Sequence, residues 1–421
     1  MTKWIIGAVS AAALLAPFGA AAEGTIKIGV LAALDGVFAT GAQDGVKNIE
    51  LAIMENKGMA GGKKIEFVVA PTDTTPDTTI RQARKLIEQD QVDFIIGPLS
   101  GSEGLAMRDY SKTIPDKTVI NGVSGALETT FVDPSPNFFR FNLDGAQMGA
   151  GLGTYVVEEK GWKKVATIAA DYAFGYTNFM GFAVDFCKAG GEIVERYWIP
   201  LGSGDFGGVI AALPDDVDAI YLGVGGTDAI NFLNQYEQAG GETNLIGGSI
   251  MADQTVLTSK GRAKEALAGT PSSGLMADEN TDPAWLAYVK RYQEAFPESE
   301  RLPSPSLFGV GYYLATKAAL QALDEIGGDL SDGQKKFHAA LSELKLESPV
   351  GLITLNENRQ AIGPVFINEV VEGPNGDLEN KFIKRIDGVT QTLGLSREEF
   401  DEKVGLPSRD VVNCEALQPA G

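Results

Sequence analysis

The feature that most constrains the fold is an alternation of strand-like and helix-like segments that occurs twice along the chain. In the first series, β-branched runs at 25–32, 64–70 and 92–96 alternate with helical stretches at about 43–56 and 77–89. Strands separated by helices of about ten to fifteen residues are typical of βαβ units around a parallel sheet. The chain is therefore predicted to be an α/β protein.

The second series follows Phe138-Phe-Arg-Phe141 and repeats the pattern. A helix is predicted at 146–159, and strands at 164–170, 192–199 and 219–223 are separated by further helices. The sequence predicts helices again from Pro283 and extended segments beyond Pro349. These late segments are predicted to return and complete two doubly wound units, which join near residues 140–145.

The N-terminus predicts export. Lys3 gives a short positive region, Trp4 to Phe18 form an apolar core, and Ala20-Ala21-Ala22 offers the small residues of a cleavage site before Glu23. These are the parts of a secretory signal peptide, assigned to residues 1–22. No Cys follows the predicted cleavage site, so a free protein without a membrane anchor is expected. The remaining chain of about 400 residues exceeds one usual core, which favours two domains.

Charge and residue types narrow the function. The formal net charge of −21 opposes binding to nucleic acid or to anionic lipid surfaces. The single histidine, His338, lies in a helical run, no Gly-x-Ser-x-Gly elbow is present, and no His/Cys/Asp cluster has metal-ligand spacing. Gly202 to Gly207 matches G-x-G-x-x-G, but Pro200 and a short following helix favour a turn. We expect no enzyme, no metal and no cofactor.

Two loops at neighbouring strand ends of the first series carry small and hydroxylated residues. One holds Ser100, Gly101 and Ser102, and the other holds Ser124, Gly125 and Ala126. Free backbone N–H groups at a helix start, together with hydroxyls, favour a carboxylate or another acceptor-rich group. Ligands of open α/β sheets bind outside the carboxyl ends of strands, so both loops should border one cleft. The alternative is that the serines only cap helices.

The second series offers an opposite wall of different chemistry. Asp171-Tyr172-Ala-Phe174-Gly-Tyr176 follows its first strand and carries three aromatic residues, which could cover an apolar ligand body. Core packing is the alternative use of these rings. Gly223 to Gly226 and Gly248 to Asp253 follow the next two strands that can be placed.

The two cysteines are Cys187 and Cys414. In an exported protein an even cysteine count favours a disulfide, which here would fix the C-terminal tail. Two unpaired buried thiols are the alternative.

Taken together, the chain resembles the type I periplasmic solute-binding proteins of branched-chain amino acid ABC transporters, the leucine/isoleucine/valine-binding family. The resemblance covers nearly the whole chain after residue 22. Its carriers are short, but they occur in the family's order: Ile26-Lys-Ile-Gly-Val-Leu, Gly36, Asn56-Lys-Gly-Met-Ala-Gly-Gly, Asp93-Phe-Ile-Ile-Gly-Pro-Leu-Ser, Asp171-Tyr-Ala-Phe-Gly, Gly204-Asp-Phe and Asp218-Ala-Ile-Tyr-Leu-Gly.

The resemblance implies two Rossmann-like doubly wound lobes joined by a three-crossover hinge, with the ligand held between them. Lobe 1 would comprise residues 23–142 and about 275–347, and lobe 2 residues 143–274 and about 348–395, followed by a tail at 396–421. The two serine loops of lobe 1 would hold a ligand carboxylate. Further contacts would come from Phe38, Tyr172, Phe174 and Phe308.

The sequence departs from the family at the position that holds an amino-acid ammonium. Members that bind amino acids use an acidic side chain and often a tyrosine from the second lobe. Here Gly225 takes the place of the tyrosine and Ser249 that of the acid. Asp253 lies nearby and could substitute, but a buried ammonium without a carboxylate would be costly. This departure favours a carboxylate without an α-amine, such as an aromatic or branched aliphatic acid, or another small polar solute. A branched-chain amino acid remains the ligand that the family resemblance implies.

The predicted function is that of a periplasmic substrate-binding protein, a monomer that captures a small solute and delivers it to the permease subunits of an ABC importer. Two alternatives remain open: a ligand-sensing regulatory protein on the same fold, and a binder of another solute such as an amide.

Overall fold

The computed structural model describes residues 24–418, so the predicted signal peptide at 1–22 lies outside the described residues. The first part of the chain alternates strands and helices as predicted. Its elements are β1 (Thr25–Ala32), α1 (Ala39–Glu55), β2 (Met59–Ala60), β3 (Lys63–Pro71), α2 (Pro76–Glu88), β4 (Phe94–Ile96), α3 (Gly101–Ser111), β5 (Val119–Ile120), α4 (Glu128–Phe131) and β6 (Phe138–Phe139).

The second part repeats the alternation. Its elements are α5 (Gly145–Gly149), α6 (Leu152–Tyr155), β7 (Lys164–Ala170), α7 (Ala173–Lys188), β8 (Glu192–Ile199), α8 (Gly207–Ala212), β9 (Ala219–Gly223), α9 (Gly226–Gln238), β10 (Asn244–Gly247), α10 (Gln254–Leu257), α11 (Arg262–Leu267) and β11 (Pro271–Gly274).

The last part contributes to both units. Its elements are α12 (Pro283–Ala295), α13 (Leu307–Glu325), α14 (Lys335–Glu343), β12 (Leu346–Ser348), β13 (Gly351–Leu355), β14 (Ala361–Glu372), β15 (Leu378–Val389) and α15 (Arg397–Lys403).

The strands form two sheets. The first has the order β2-β3-β1-β4-β5-β6, and the second has the order β12-β13-β14-β11-β10-β9-β7-β8, with β15 paired to β14. The first-series strands pair in parallel apart from β2, and β7 to β11 also pair in parallel. The two doubly wound α/β units predicted from the alternation are confirmed, and we refer to the unit around each sheet as the first and the second lobe.

The late segments divide between the lobes for reasons of packing. Helix α13 is apolar around most of its circumference, and it packs against α1 of the first lobe. Of the extended segments after Pro349, β14 instead pairs antiparallel with β11, and β13 and β15 pair antiparallel with β14, so all three extend the second sheet. Each lobe is therefore completed by a part of the chain distant in sequence.

One predicted element is wrong in detail: the helix at 146–159 is not continuous. It breaks at Gly151, which adopts φ +80°. The flanking glycines approach α7 too closely for a side chain, because a Cβ on Gly149 would lie 2.7 Å from the Phe182 nitrogen and one on Gly153 would lie 2.1 Å from the Phe186 nitrogen. The close contact with α7 determines the backbone path of residues 149–153, and Gly151 permits the break because glycine readily adopts a left-handed conformation.

Candidate functional site

The loop between β4 and α3 places Ser100 in a capping role. The Ser100 hydroxyl accepts a hydrogen bond from the Glu103 nitrogen at 3.3 Å and donates to the Thr74 carbonyl at 3.0 Å, while the Glu103 carboxylate accepts from the Ser100 nitrogen at 2.7 Å. This is a capping box. The structure thus gives the Ser100 hydroxyl a use other than the predicted ligand contact, because both of its hydrogen-bonding directions are taken within the lobe.

The start of α3 nevertheless keeps the features of an anion site. The first backbone N–H groups of a helix have no partner within the helix, and here these belong to Gly101 and Ser102. Since Ser100 supplies the cap, the partly accessible Ser102 side chain is left for other contacts. The helix dipole adds a partial positive charge at this end. Gly101 and Ser102 can therefore donate to a carboxylate.

The next loop holds Ser124 in a closed pair with Asn121. The Ser124 hydroxyl donates to Asn121 Oδ1 at 2.7 Å, and Asn121 Nδ2 donates to the Ser124 carbonyl at 3.0 Å. Both residues are fully buried. The hydroxyl is used to fix the loop, so the Ser124 side chain does not offer the ligand contact that was predicted for it.

A residue that the sequence analysis did not single out, Arg140, orients that main chain. Its guanidinium is fully buried and donates to the carbonyl of Ala126 at 2.7 Å and that of Ser124 at 3.4 Å. The Gly125 carbonyl accepts from the Gly145 nitrogen at 2.8 Å. Because a trans peptide points its N–H opposite to its C=O, the N–H groups of Gly125 and Ala126 face away from these partners. The loop presents two amides on its other side.

The charge of Arg140 is balanced by a neighbouring buried carboxylate. Burial lowers the pKa of its guanidinium to about 10, and the nearby carboxylate of Asp144, at 3.4 Å, partly opposes that shift. Burial also raises the pKa of Asp144, against the influence of Arg140. A guanidinium with a pKa near 10 stays protonated at neutral pH, so a positive charge lies behind the amides of Gly125 and Ala126. The signal in the sequence was an arginine between phenylalanines, Phe139-Arg140-Phe141.

Aromatic rings from both lobes meet across the cleft. The ring centroids of Phe38 and Phe308 lie 5.6 Å apart, those of Phe38 and Tyr172 lie 6.5 Å apart, and those of Tyr172 and Phe174 lie 6.1 Å apart. Tyr172 stays partly accessible. Desolvation raises the pKa of its hydroxyl, which therefore remains a protonated donor. The four rings can cover a flat apolar body.

Phe174 also explains two glycines of the first lobe. A Cβ on Gly101 would lie 2.7 Å from the Phe174 backbone nitrogen, and one on Gly125 would lie 2.7 Å from its ring. The lobes therefore touch at the amides proposed for the ligand. A further bond between them runs from the Thr227 nitrogen to the Val37 carbonyl at 3.2 Å. The structure describes a closed cleft.

The second-lobe positions that differ from amino-acid binders form a consistent group. A Cβ on Gly225 would lie 2.7 Å from the Ile250 side chain, so Ile250 fills the space a larger residue would need. Ser249 is 5% exposed, and its hydroxyl finds no hydrogen-bond partner among residues 24–418. Its nitrogen donates to Asn178 Oδ1 at 3.2 Å. Beside Ile250, this corner of the cleft holds the paired amide of Asn178 and the unpaired Ser249 hydroxyl, neither of which is a carboxylate.

Asp253 does not offer the ammonium anchor that was considered for it. One carboxylate oxygen accepts from the Thr255 nitrogen at 3.0 Å and the Thr255 hydroxyl at 2.7 Å, and the other accepts from the Leu307 nitrogen at 2.7 Å. Asp253 thus caps α10 and also holds the start of α13 in the first lobe. The carboxylate is committed to Thr255 and to the Leu307 nitrogen, so it is not available for the predicted ligand contact and instead links the lobes.

The remaining predicted positions lie elsewhere. Cys187 and Cys414 form a disulfide with a Cα–Cα distance of 4.8 Å. His338 lies on α14, with its Nε2 atom 2.9 Å from the Thr118 hydroxyl. Within residues 24–418 no helix combines the length and apolar character needed to cross a membrane, and no cluster of His, Cys, Asp and Glu has the arrangement of a metal site.

Comparisons with known proteins agree with this geometry. A model of the family described as periplasmic binding protein matches residues 25–376. A Leu/Ile/Val-binding protein homolog 6 from Brucella melitensis biotype 1 is 23% identical over 372 residues, which cover 87% of this chain and 93% of that protein.

Two solved structures extend the comparison. A solute-binding protein of an ABC transporter from Rhodopseudomonas palustris BisB5, in complex with 3,4-dihydroxybenzoic acid, has a TM-score of 0.79 and 28% identity, covering 87% of this chain and 98% of that one. A second solute-binding protein from R. palustris, in complex with benzoate, has a TM-score of 0.79 and 23% identity, covering 87% and 97%.

Proposed function

The chain belongs to the periplasmic binding protein family and is a solute-binding protein of the ABC transporter type rather than an enzyme, and on that premise we propose that its ligand is an aromatic carboxylate without an α-amine. The backbone amides of Gly101, Ser102, Gly125 and Ala126 would hold the carboxylate. The rings of the cleft would cover the aromatic body.

The observation that carries this proposal is the composition of the second-lobe corner. An amino-acid ligand would bring an ammonium into a closed cleft, where a buried charge requires a charged or hydrogen-bonding partner. Here the corner holds Ile250 against Gly225, the Asp253 carboxylate is committed to other donors, and Ser249 offers one hydroxyl. A serine hydroxyl can form a hydrogen bond with a phenolic hydroxyl of the ligand, but it cannot replace the carboxylate that an ammonium requires. The 28% identical protein crystallised with 3,4-dihydroxybenzoic acid supports the same class.

We also propose the setting in which the protein works. Export through the signal peptide at 1–22 would place it in the periplasm as a monomer. Lobe 1 (23–142 with about 275–347) and lobe 2 (143–274 with about 348–395) would close about the three crossovers, with 396–421 as a tail. Closure would let the permease subunits distinguish loaded from empty protein.

Calorimetry on the protein after removal of residues 1–22 tests the ligand class. We expect binding of benzoate, 4-hydroxybenzoate and 3,4-dihydroxybenzoate, and none of leucine, isoleucine or valine. Binding of leucine in preference to all three acids would overturn the proposal.

A variant sharpens the test at the corner. We expect Ser249→Ala to weaken 4-hydroxybenzoate by about threefold to tenfold, the value of one buried hydrogen bond, and to leave benzoate unchanged because benzoate has no hydroxyl to pair. Gly208→Ala is a suitable control, since a Cβ there meets nothing within 4 Å. Equal weakening of both acids would mean that Ser249 does not contact the ring substituent.

A further inference from the structure

The C-terminal tail follows α7 from one end to the other. At the C-terminal end of α7, Cys187 is joined to Cys414 of the tail. Between these ends, Val412 is fully buried in the core that includes Phe182 and Phe186 of α7. The Val412 carbonyl accepts a hydrogen bond from the Arg196 guanidinium of the neighbouring edge strand β8. The tail is therefore fixed along this side of the second lobe.

At the other end of α7 the tail reaches the segment 171–176, which joins β7 to the first turn of α7. Arg409 Nε donates to one carboxylate oxygen of Asp171 at 2.8 Å, and its Nη2 atom donates to the other oxygen. The Tyr176 hydroxyl donates to the same carboxylate. Asp171 directly precedes Tyr172, whose ring lies in the cleft. Two parallel bonds from one guanidinium fix orientation as well as distance.

The lengths agree with this path. Helix α7 has 16 residues and so extends about 24 Å. The five steps from Arg409 to Cys414 span at most about 17 Å when extended, and the long arginine side chain covers the remainder. A tail held at Cys414 therefore has little slack at Arg409.

The electrostatics of the pair are consistent with a fixed contact. The Asp171 side chain is 15% exposed, whereas that of Arg409 is 60% exposed. Burial would raise the pKa of the Asp171 carboxyl, but the hydrogen bonds from Arg409 and Tyr176 outweigh burial and hold that pKa below its usual range. Without Arg409, the largely buried Asp171 carboxylate would lose the one cationic partner that it has within residues 24–418.

We propose that Arg409 is a positioning residue for the ligand site, acting through Asp171 on the segment 171–176 that carries Tyr172 and Phe174, and that the Cys187–Cys414 disulfide holds Arg409 in place. The inference rests on the proposed function, because it takes this segment as one wall of the site. Ligand affinity then depends on the redox state of a disulfide at the far end of α7. Reduction by two electrons and two protons from a dithiol gives two thiols and frees the tail.

The first test measures this segment without ligand. Hydrogen exchange of the segment 171–176 in Arg409→Gln is expected to rise at least about threefold over wild type, since the local opening that the ion pair resists becomes easier. Arg409→Lys should recover part of the protection through its charge alone. Lys260→Gln is the matched control, because it removes an exposed ion pair with Asp377 elsewhere on the second lobe.

The second test measures affinity for 4-hydroxybenzoate by calorimetry. Arg409→Gln should weaken binding about threefold to fivefold, and Cys187→Ser/Cys414→Ser should do the same, whereas Lys260→Gln should not. Combining Arg409→Gln with the cysteine pair should add no further loss, because both changes release the same contact. Additive losses would overturn the coupling of tail and disulfide.

The outcomes separate this inference from the proposed function. If wild type binds no aromatic acid but Arg409→Gln still loosens 171–176, the ligand class is wrong and the positioning role stands. If exchange of 171–176 is unchanged in Arg409→Gln, Arg409 does not position this segment, whatever the ligand is.

Discussion

On the first-lobe wall of the cleft the proposed donors are main-chain amides, whereas on the second-lobe wall the contacts come from side chains. The amides of Gly101 and Ser102 lie at a helix start, and those of Gly125 and Ala126 are oriented by Arg140 and Gly145 behind them. Opposite them lie the rings of Tyr172 and Phe174 and the unpaired Ser249 hydroxyl. Many solutes share a carboxylate, so fixed main-chain amides can bind it in all of them. The rest of the solute varies, and specificity for that part requires side chains.

The two lobes also share one element unequally. The start of α13 is held by Asp44 of the first lobe, which accepts from the Ser306 nitrogen at 2.8 Å, and by Asp253 of the second, which accepts from the Leu307 nitrogen at 2.7 Å. The Asp44 bond lies within one lobe, whereas the Asp253 bond joins the two. The contact of Ser306 with Asp44 thus stabilises the first lobe, whereas the contact of the adjacent Leu307 with Asp253 stabilises the closed arrangement of the two lobes.

The largest expected effect comes from breaking the contact between the walls. Gly101→Ala would place a Cβ 2.7 Å from the Phe174 backbone nitrogen, so the lobes could not close fully. We expect 4-hydroxybenzoate affinity to fall about a hundredfold, or roughly 3 kcal/mol, the upper range for overpacking against backbone. Thermal stability should be kept or raised, since alanine favours the helix more than glycine does.

Calorimetry and a melting curve on the same sample check this prediction, with Gly208→Ala as the control for adding a methyl group to a helix. An unchanged affinity would mean that the loaded cleft is more open than the structure described here.

The second prediction separates the two carboxylates by pH. Burial raises the pKa of Asp44 to about 6 from the usual 3.8, against hydrogen bonds from Ser306 and Tyr292. The folded state then binds more protons than the unfolded state between about pH 4 and 6, so the contribution of Asp44 to stability falls as pH rises through that window. The difference in unfolding free energy between wild type and Asp44→Asn should fall by roughly 2 to 3 kcal/mol from pH 4 to 7.

Urea unfolding at several pH values measures that difference. Ligand affinity at pH 7 should be nearly unchanged in Asp44→Asn and reduced in Asp253→Asn, because only the Asp253 bond joins the lobes. A difference that rises with pH would contradict the assignment of Asp44.

The smallest effect distinguishes two serines of one loop. Ser102→Ala should weaken 4-hydroxybenzoate by about twofold to fivefold, the value of one partly exposed hydrogen bond. Ser100→Ala should leave affinity nearly unchanged and lower the unfolding free energy by about 1 kcal/mol, because it removes a helix cap. The reverse result, with affinity lost in Ser100→Ala alone, would return the ligand role to Ser100.

The strands of the second lobe show how much of the fold the sequence could predict. The strands predicted at 164–170, 192–199 and 219–223 agree with the structure residue for residue. They are short runs rich in apolar and β-branched residues between clear turns, so local preference and burial agree. The helix at 146–159 failed because its path is set by contact with α7, which no local pattern reports.

The residues of the candidate site were harder to predict from the sequence than the strands, and individual residues show why. Serine at a strand end suits both a cap and a ligand contact, and only the geometry shows that Ser100 and Ser124 are used within their lobe. Asp253 could not be assigned because its partner, the Leu307 nitrogen, is distant in sequence. Arg140 was missed since a buried charge has no periodicity, and its carbonyl partners carry no side-chain signature.

The main-chain character of the first-lobe wall has an evolutionary consequence. A carboxylate site made mainly of peptide N–H groups, as we propose for the first lobe, would depend little on the side chains of the opposite wall, because Arg140 orients part of it from behind. Substitutions on the opposite wall, at positions such as 225, 249 and 250, can then change the ligand specificity while the carboxylate-binding amides are retained. Paralogous receptors can diverge in this way through few mutations, each intermediate still able to load.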